Sequence, residues 1–208
     1  MAQPTKRQYQ FSPFGEAIHP WVNKPDTKFN DDGVYKMGLR VSGDDAIKLA
    51  AEIRAASEAY LEEVTAEMTP GERKKWTLYV PFKEEEDDNG NPTGAIVFDF
   101  KQNAKIKLKS GGIKEVKMNL VDGNGVASSK AIFGDSTVRT QFALRDIKMT
   151  SGKQAGVRLD FCGVQWTKLG TGSAGGGFGK VEGFEGPGED TPSFGNASGG
   201  GATPSGDY

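Results

Sequence analysis

The chain has 208 residues, 36% of them apolar, with 29 glycines and a formal charge of −2. A single cysteine, Cys162, excludes an intrachain disulfide and a cysteine-based zinc site, and a single histidine, His19, argues against His-dependent catalysis. No apolar run approaches the roughly 20 residues of a membrane span, and residues 1–7 contain no apolar leader core, so a reducing, cytoplasmic compartment is expected. The first clear strand is expected over 33–41, where Tyr35, Met37, Leu39 and Val41 alternate with Lys36, Gly38 and Arg40. The period then changes. Over 44–68, Ala46, Leu49, Ala50, Ile53, Tyr60, Leu61, Val64 and Met68 fall at helical steps, with Ser42 or Asp44 as the cap and Thr69-Pro70-Gly71 as the stop. Residues 76–82 read as a strand interrupted by Pro81, and 84–92 as an acidic loop.

Residues 96–109 carry the most information. In an extended chain Ile96, Phe98, Phe100, Gln102, Ala104, Ile106 and Leu108 share one face. The other face holds Val97, Asp99, Lys101, Asn103, Lys105, Lys107 and Lys109, an outward row of lysines on one long strand with room for a bend near Gln102-Asn103. Ser110-Gly111-Gly112 turns the chain, and 113–121 returns as the partner strand with Lys117 outward. Asp122-Gly123-Asn124-Gly125 is the next turn. Over 137–147, Val138, Phe142 and Leu144 point inward and Arg139, Gln141 and Arg145 outward. Residues 157–169 close the body, with Val157, Leu159 and Phe161 on one face and a bulge at Gly163.

This pattern predicts a mainly β domain over 1–169. A partly open five-stranded barrel of the oligonucleotide-binding (OB) type with one inserted helix fits the strand count, and a β-sandwich with a decorating helix is the alternative. Residues 170–208 are rich in Gly, Pro and Ser, punctuated by Phe178, Phe184, Phe194 and Tyr208, and are expected to be disordered.

Charge is segregated. Residues 1–100 sum to about −6, 101–169 to about +8 and 170–208 to about −4. The cations Lys101, Lys105, Lys107, Lys109, Lys114, Lys117, Arg139, Arg145 and Lys148 therefore point to a polyanion rather than to a mixed solvated face. Trp21, Phe14, Trp76 and Trp166 are candidate stacking rings, and Trp166 is the one expected to be exposed unless the bulge at Gly163 reverses its face. The acidic run 84–88 reads as a solvated hairpin loop and not as a metal site. Gly179-Lys180 fails the spacing of a phosphate loop. No nucleophile–base pairing stands out, so no catalytic residue, metal or cofactor is expected.

Several stretches together are similar to one family. They are Phe14-Gly15-Glu16-Ala17 through Lys24-Pro25-Asp26, Gly33-Val34-Tyr35-Lys36, the helix, Pro81-Phe82, Phe98-x-Phe100-Lys101, the strand ending Val121-Asp122, and Val157-Arg158-Leu159. In order and spacing they resemble the single-stranded-DNA-binding proteins of T-seven-like bacteriophages over nearly all of 11–169. The resemblance implies an OB barrel with a helix between strands, and sequence-tolerant binding of single-stranded DNA in phage replication, recombination and repair, in the cytoplasm of the infected bacterial host. It also implies strand annealing, dimerisation, and a tail that contacts the phage DNA polymerase and helicase-primase and competes with DNA. Lys101 matches a basic DNA-contact position of the family. Two positions depart from it. Ile147-Lys148-Met149 stands where the family has a stacking tyrosine before a Lys-aromatic pair. The tail has five carboxylate side chains and ends Asp207-Tyr208, where the family's is densely acidic and ends in Phe. Asp207 and Tyr208 are accordingly the expected partner-binding residues. A phage structural or assembly protein using the basic face for protein contacts is the alternative.

Overall fold

The structure, a computed structural model, describes residues 8–108 and 110–171. Lys109 and all but the first two residues of the expected tail, Asp207 and Tyr208 included, lie outside the described residues.

Five long strands carry the architecture. β1 (Gln10–Phe11) is a short edge piece, followed by β2 (Gly15–Asp26) and β3 (Val34–Ser42). After α1 (Asp44–Thr65) and the single turn α2 (Pro70–Arg73) come β4 (Thr77–Tyr79), β5 (Phe82–Glu86) and β6 (Pro92–Asn103). The short β7 (Lys105–Lys107), β8 (Ile113–Glu115) and β9 (Asn119–Val121) precede the long β10 (Thr137–Met149) and β11 (Gln154–Lys168). Pairing runs β10–β2–β3–β6–β11 and returns through β10–β11, a closed circuit of five strands. β2, β3 and β6 form an antiparallel meander, while β6 joins β11 in parallel. That circuit is the five-stranded OB-type barrel expected from the strand count, and it excludes the sandwich. The barrel is partly open. β6 meets β11 only at Phe100↔Leu159 and Lys101↔Asp160, and β10 meets β2 only at Thr137↔Glu16 and Val138↔Gly15.

Alternation fills the interior. Phe98, Phe100, Phe142 and Phe161 are fully buried, with Phe100 5.4 Å from Phe142 and 5.8 Å from Phe161 between ring centroids. Each such ring contributes on the order of 1.5–3 kcal/mol through burial. α1 buries Ala46, Leu49, Ala50 and Ile53 and packs against β11, β3, β4, β10 and β6, four of the five barrel strands, so it plugs one end. Ser57 completes the seal by accepting a hydrogen bond from the Val157 amide, 3.2 Å.

Several local expectations need correction. Gly43, not Ser42 or Asp44, is the N-cap of α1, without a side-chain cap bond; Asp44 and Asp45 instead sit in the first turn, where the helix dipole favours carboxylates. Thr69 does more than end a helix: with Glu72 it forms the capping box of α2. The acidic run is largely strand, since β5 pairs β6 antiparallel and the turn falls at 87–91. Val97, read as outward, is buried because it packs with Ile18 across Gly38.

The long strand of 96–109 is also cut at Ala104. β7 leaves the barrel and pairs only with β8, and the expected single partner strand 113–121 is two pieces, β8 on β7 and β9 on β11. Ala104 is held on both sides of the break. Its amide donates to Gly33 O (2.9 Å) and its carbonyl accepts from the Val116 amide (2.7 Å).

Candidate nucleic-acid interface

Strand register places the candidate cations. Residues directly opposite in paired strands share a face. Trp21↔Lys36, Lys36↔Lys101 and Lys101↔Asp160 therefore form a band across the outside of the barrel, from β2 to β11. Trp21 is 37% exposed there, and Lys101 is exposed. Lys36 is held by Asp26 at 2.6 Å. That pairing, with the Lys28 amide as a second donor, keeps the Asp26 carboxyl below its ordinary pKa.

Beyond the band lies an open groove of about 570 Å³. Lys105 and Lys107 from β7 and Arg145 and Arg158 from β10 and β11 line it, with Gln102, Asn103 and Asp32 between them. Arg145 and Arg158 stand directly opposite one another, an arrangement that repels unless an anion intervenes. Asp160 supplies it. This residue, 1% exposed, accepts from Arg158 Nε at 2.6 Å and faces Arg145 Nη1 at 3.8 Å. The buried carboxylate thus fixes two guanidinium groups at the groove wall.

A second cavity, about 290 Å³, lies at the other end of β10. Arg139 borders it with Phe11, Gln141 and Gln165. The Arg139 guanidinium carbon sits 5.1 Å from the Phe11 ring centre and 5.2 Å from that of Phe14. Its Nε donates to Gln165 Oε1 at 2.7 Å, and Gln165 Nε2 donates in turn to the carbonyls of Asp122 and Gly123. Gly163 makes this floor possible: a Cβ there would lie 2.8 Å from the Asn119 carbonyl oxygen, so only glycine lets β9 approach β11 so closely. Arg139 and Arg145 are six residues apart on one strand face, roughly 20 Å at about 3.3 Å per residue.

The structure thus brings together Lys101, Lys105, Lys107, Arg145 and, further along β10, Arg139. Lys117 is exposed between β8 and β9, outside both cavities. Lys148 is not part of the same surface: alternation turns it to the opposite side of β10 from Arg145, and its Nζ rests 5.2 Å over the Trp76 ring. Trp166 is corrected. Register shifts by one at Gln141/Phe142, where Cys162 is the extra residue, so Trp166 turns inward, packs against the core and donates from Nε1 to Ser128 Oγ at 3.2 Å. The expected bulge is real, and it reverses the face.

Sequence reasoning passed over Arg158, Phe11, Gln165 and Phe29. The alternation of 157–161 does put Arg158 outward. Phe29 had no periodic signal: it stands 87% exposed in the β2–β3 loop, 27–33, three residues before the groove residue Asp32. No group of His, Cys, Asp and Glu among the described residues could hold a metal ion, and no described helix is long and apolar enough to cross a membrane.

A five-stranded barrel with a basic groove on one face and exposed aromatic rings defines an oligonucleotide-binding class of protein. Residues 15–169 match the model of the family "Single-stranded DNA-binding protein, Bacteriophage T7", and the chain belongs to that family of binding proteins, not enzymes. Among solved structures it is similar to gp2.5, a single-stranded DNA binding protein encoded by bacteriophage T7, with a TM-score of 0.65 and 24% identity over 85% of this chain and 92% of that one. It is also similar to the single-stranded DNA-binding protein of bacteriophage Enc34 in complex with ssDNA, with a TM-score of 0.52 and 11% identity over 79% and 89%. A further structure of the single-stranded DNA-binding protein from bacteriophage Enc34 gives 0.52 and 10% over 82% and 87%. No curated protein sequence matches the chain.

Proposed function

We propose that this chain coats single-stranded DNA without marked sequence preference during phage DNA replication, recombination and repair, in the cytoplasm of an infected bacterium. Residues 1–169 would be the binding domain. The observation that carries the reading is the groove in which Lys105, Lys107, Arg145 and Arg158 converge on one barrel face beside Lys101. Cations so placed follow a phosphate backbone, and the exposed rings of Trp21, Phe29 and Phe11 offer surfaces for bases. An Enc34 relative of the same fold binds ssDNA, which supports the assignment.

Residues 170–208, at about −4, would compete weakly with DNA for the groove, and the terminal Asp207-Tyr208 would dock the phage polymerase and helicase-primase. With five carboxylate side chains, each exposed ion contact worth under about 1 kcal/mol, the competition should change affinity only a few-fold. Strand annealing and dimerisation belong to the same proposal.

Fluorescence titration with single- and double-stranded oligonucleotides at several salt concentrations tests the reading. Preferential, salt-sensitive binding of single strands supports it. A chain that ignores DNA and binds another virion protein through this face would be an assembly protein instead.

A further inference from the structure

We infer that the cavity at Arg139 reads one base of the bound strand and prefers guanine there. This rests on the single-stranded-DNA reading above and gives that otherwise sequence-tolerant groove one selective position.

Three features of the cavity carry the inference. First, Phe11 and Phe14 are 57% and 44% exposed, an unusual state for two neighbouring rings. Arg139 holds both at one distance, which orders them while much of each remains open. A ring so placed is a platform for a base. Second, the guanidinium is oriented. Gln165 takes its Nε, and Asp122 and Gly123 hold Gln165, so the plane of the fork is set before any ligand arrives. Beyond the two rings, the Nη groups make no hydrogen bond or ion pair among the described residues. Two parallel N–H donors match the O6 and N7 acceptors of guanine, the commonest specific arginine–base contact; thymine offers no adjacent acceptor pair, and cytosine offers one, O2 and N3, only on its pairing edge. Third, the cavity is of limited size, about 290 Å³, against about 570 Å³ for the groove near Lys105. Its floor is backbone and small or amide side chains, Gly163, Gly125, Asn119 and Gln141, and Arg139 is its only charged residue. A phosphate track needs several cations, whereas a base slot needs one oriented fork and an apolar wall.

The test compares labelled all-dT oligomers with the same oligomers carrying a single central dG, dA or dC, using the full chain and fluorescence anisotropy. The quantity read is the ratio of dissociation constants, all-dT over substituted. A ratio of about five to ten for dG is expected, because a bidentate pair discriminates by about that factor or more, whereas an equal gain with dC would mean that the fork reads O2 and N3 of cytosine and would overturn the guanine assignment. Arg139→Lys keeps the charge and loses the fork, so its dG ratio should fall to about one. Lys105→Gln with Lys107→Gln should weaken every oligomer alike and preserve the dG ratio. A wild-type dG ratio of one overturns the inference. So does a ratio that survives in Arg139→Lys, because stacking strength alone would then account for it. Failure to bind any oligomer would instead remove the single-strand reading on which the slot depends.

Discussion

Asp160 sets the chemistry of the groove although DNA would never touch it. With Arg145 and Arg158 opposed across β10 and β11, removing the buried charge leaves two guanidiniums facing each other. Asp160→Asn should lower stability by about 2 kcal/mol, read by urea denaturation, and weaken DNA binding as the arginines lose their anchor. An unchanged midpoint would mean that Asp160 is not what holds them. Lys105 and Lys107 are exposed, so reversing both to Glu should cost at least tenfold in single-strand affinity while the circular dichroism spectrum and melting temperature stay put. Normal binding by that double variant would move the groove elsewhere. Trp166→Ala should behave in the opposite way, losing about 2 kcal/mol of stability because its ring packs on the core. At this scale the lysines were legible because alternation needs only a correct strand assignment. Trp166 was legible only as a conditional: one bulged residue reverses every side chain beyond it, and sequence marks the bulge with Gly163 without fixing which residue is extra.

Elements were readable where a period ran long. β3, the inner face of β6 and β10 follow their patterns closely, since each buries a full stripe, whereas α1 buries its expected stripe only over the first half, with Tyr60, Leu61 and Val64 half-buried and the helix ending at Thr65. Short pieces were not, because tertiary pairing decides them. Nothing local announces that Glu84–Glu86 will be recruited by β6, with Arg40 bridging Glu85 at 2.7 Å and Glu16 at 3.1 Å. Nor does pattern show that the strand is interrupted at Ala104, because β7 continues the same alternation. The β7–β8 ribbon, paired only with itself, should lose amide protection much faster than β6, β10 and β11 in hydrogen exchange. Equal protection would mean that the ribbon is part of the cooperative barrel. At the end of β2, Asp26 pins Lys36 and the Lys28 amide. Its pKa is lowered in the folded state, so its contribution is present above the unfolded carboxyl value of about 4 and is lost as pH falls through the lower folded value. Below about pH 4 the 27–33 loop should gain exchange, and Asp26→Asn should show that faster exchange already at neutral pH.

At the scale of the whole molecule, electrostatics sets the measurable signature. If four to six phosphates contact each protomer, log affinity should fall with log salt at a slope of roughly −3 to −4 for single strands. A flat dependence would take the cations out of the mechanism. The barrel itself is closed by two seams of two residue pairs each, so its integrity rests on the phenylalanine core more than on continuous hydrogen bonding. Ala104 has a mechanical meaning within that frame. One of its peptide groups is tied to Gly33 at the root of the loop that carries Phe29, and the other to Val116 at the foot of the β7–β8 ribbon. Loop and ribbon therefore hang from one axle on the same rim of the barrel. A torque applied to either, as when a strand is pressed into the groove, would reach the other through these two hydrogen bonds. The two would swing as opposed jaws at one rate. Relaxation dispersion on the amides of 27–33 and 105–115 would reveal a shared exchange constant, and two unrelated constants would show that the axle slips.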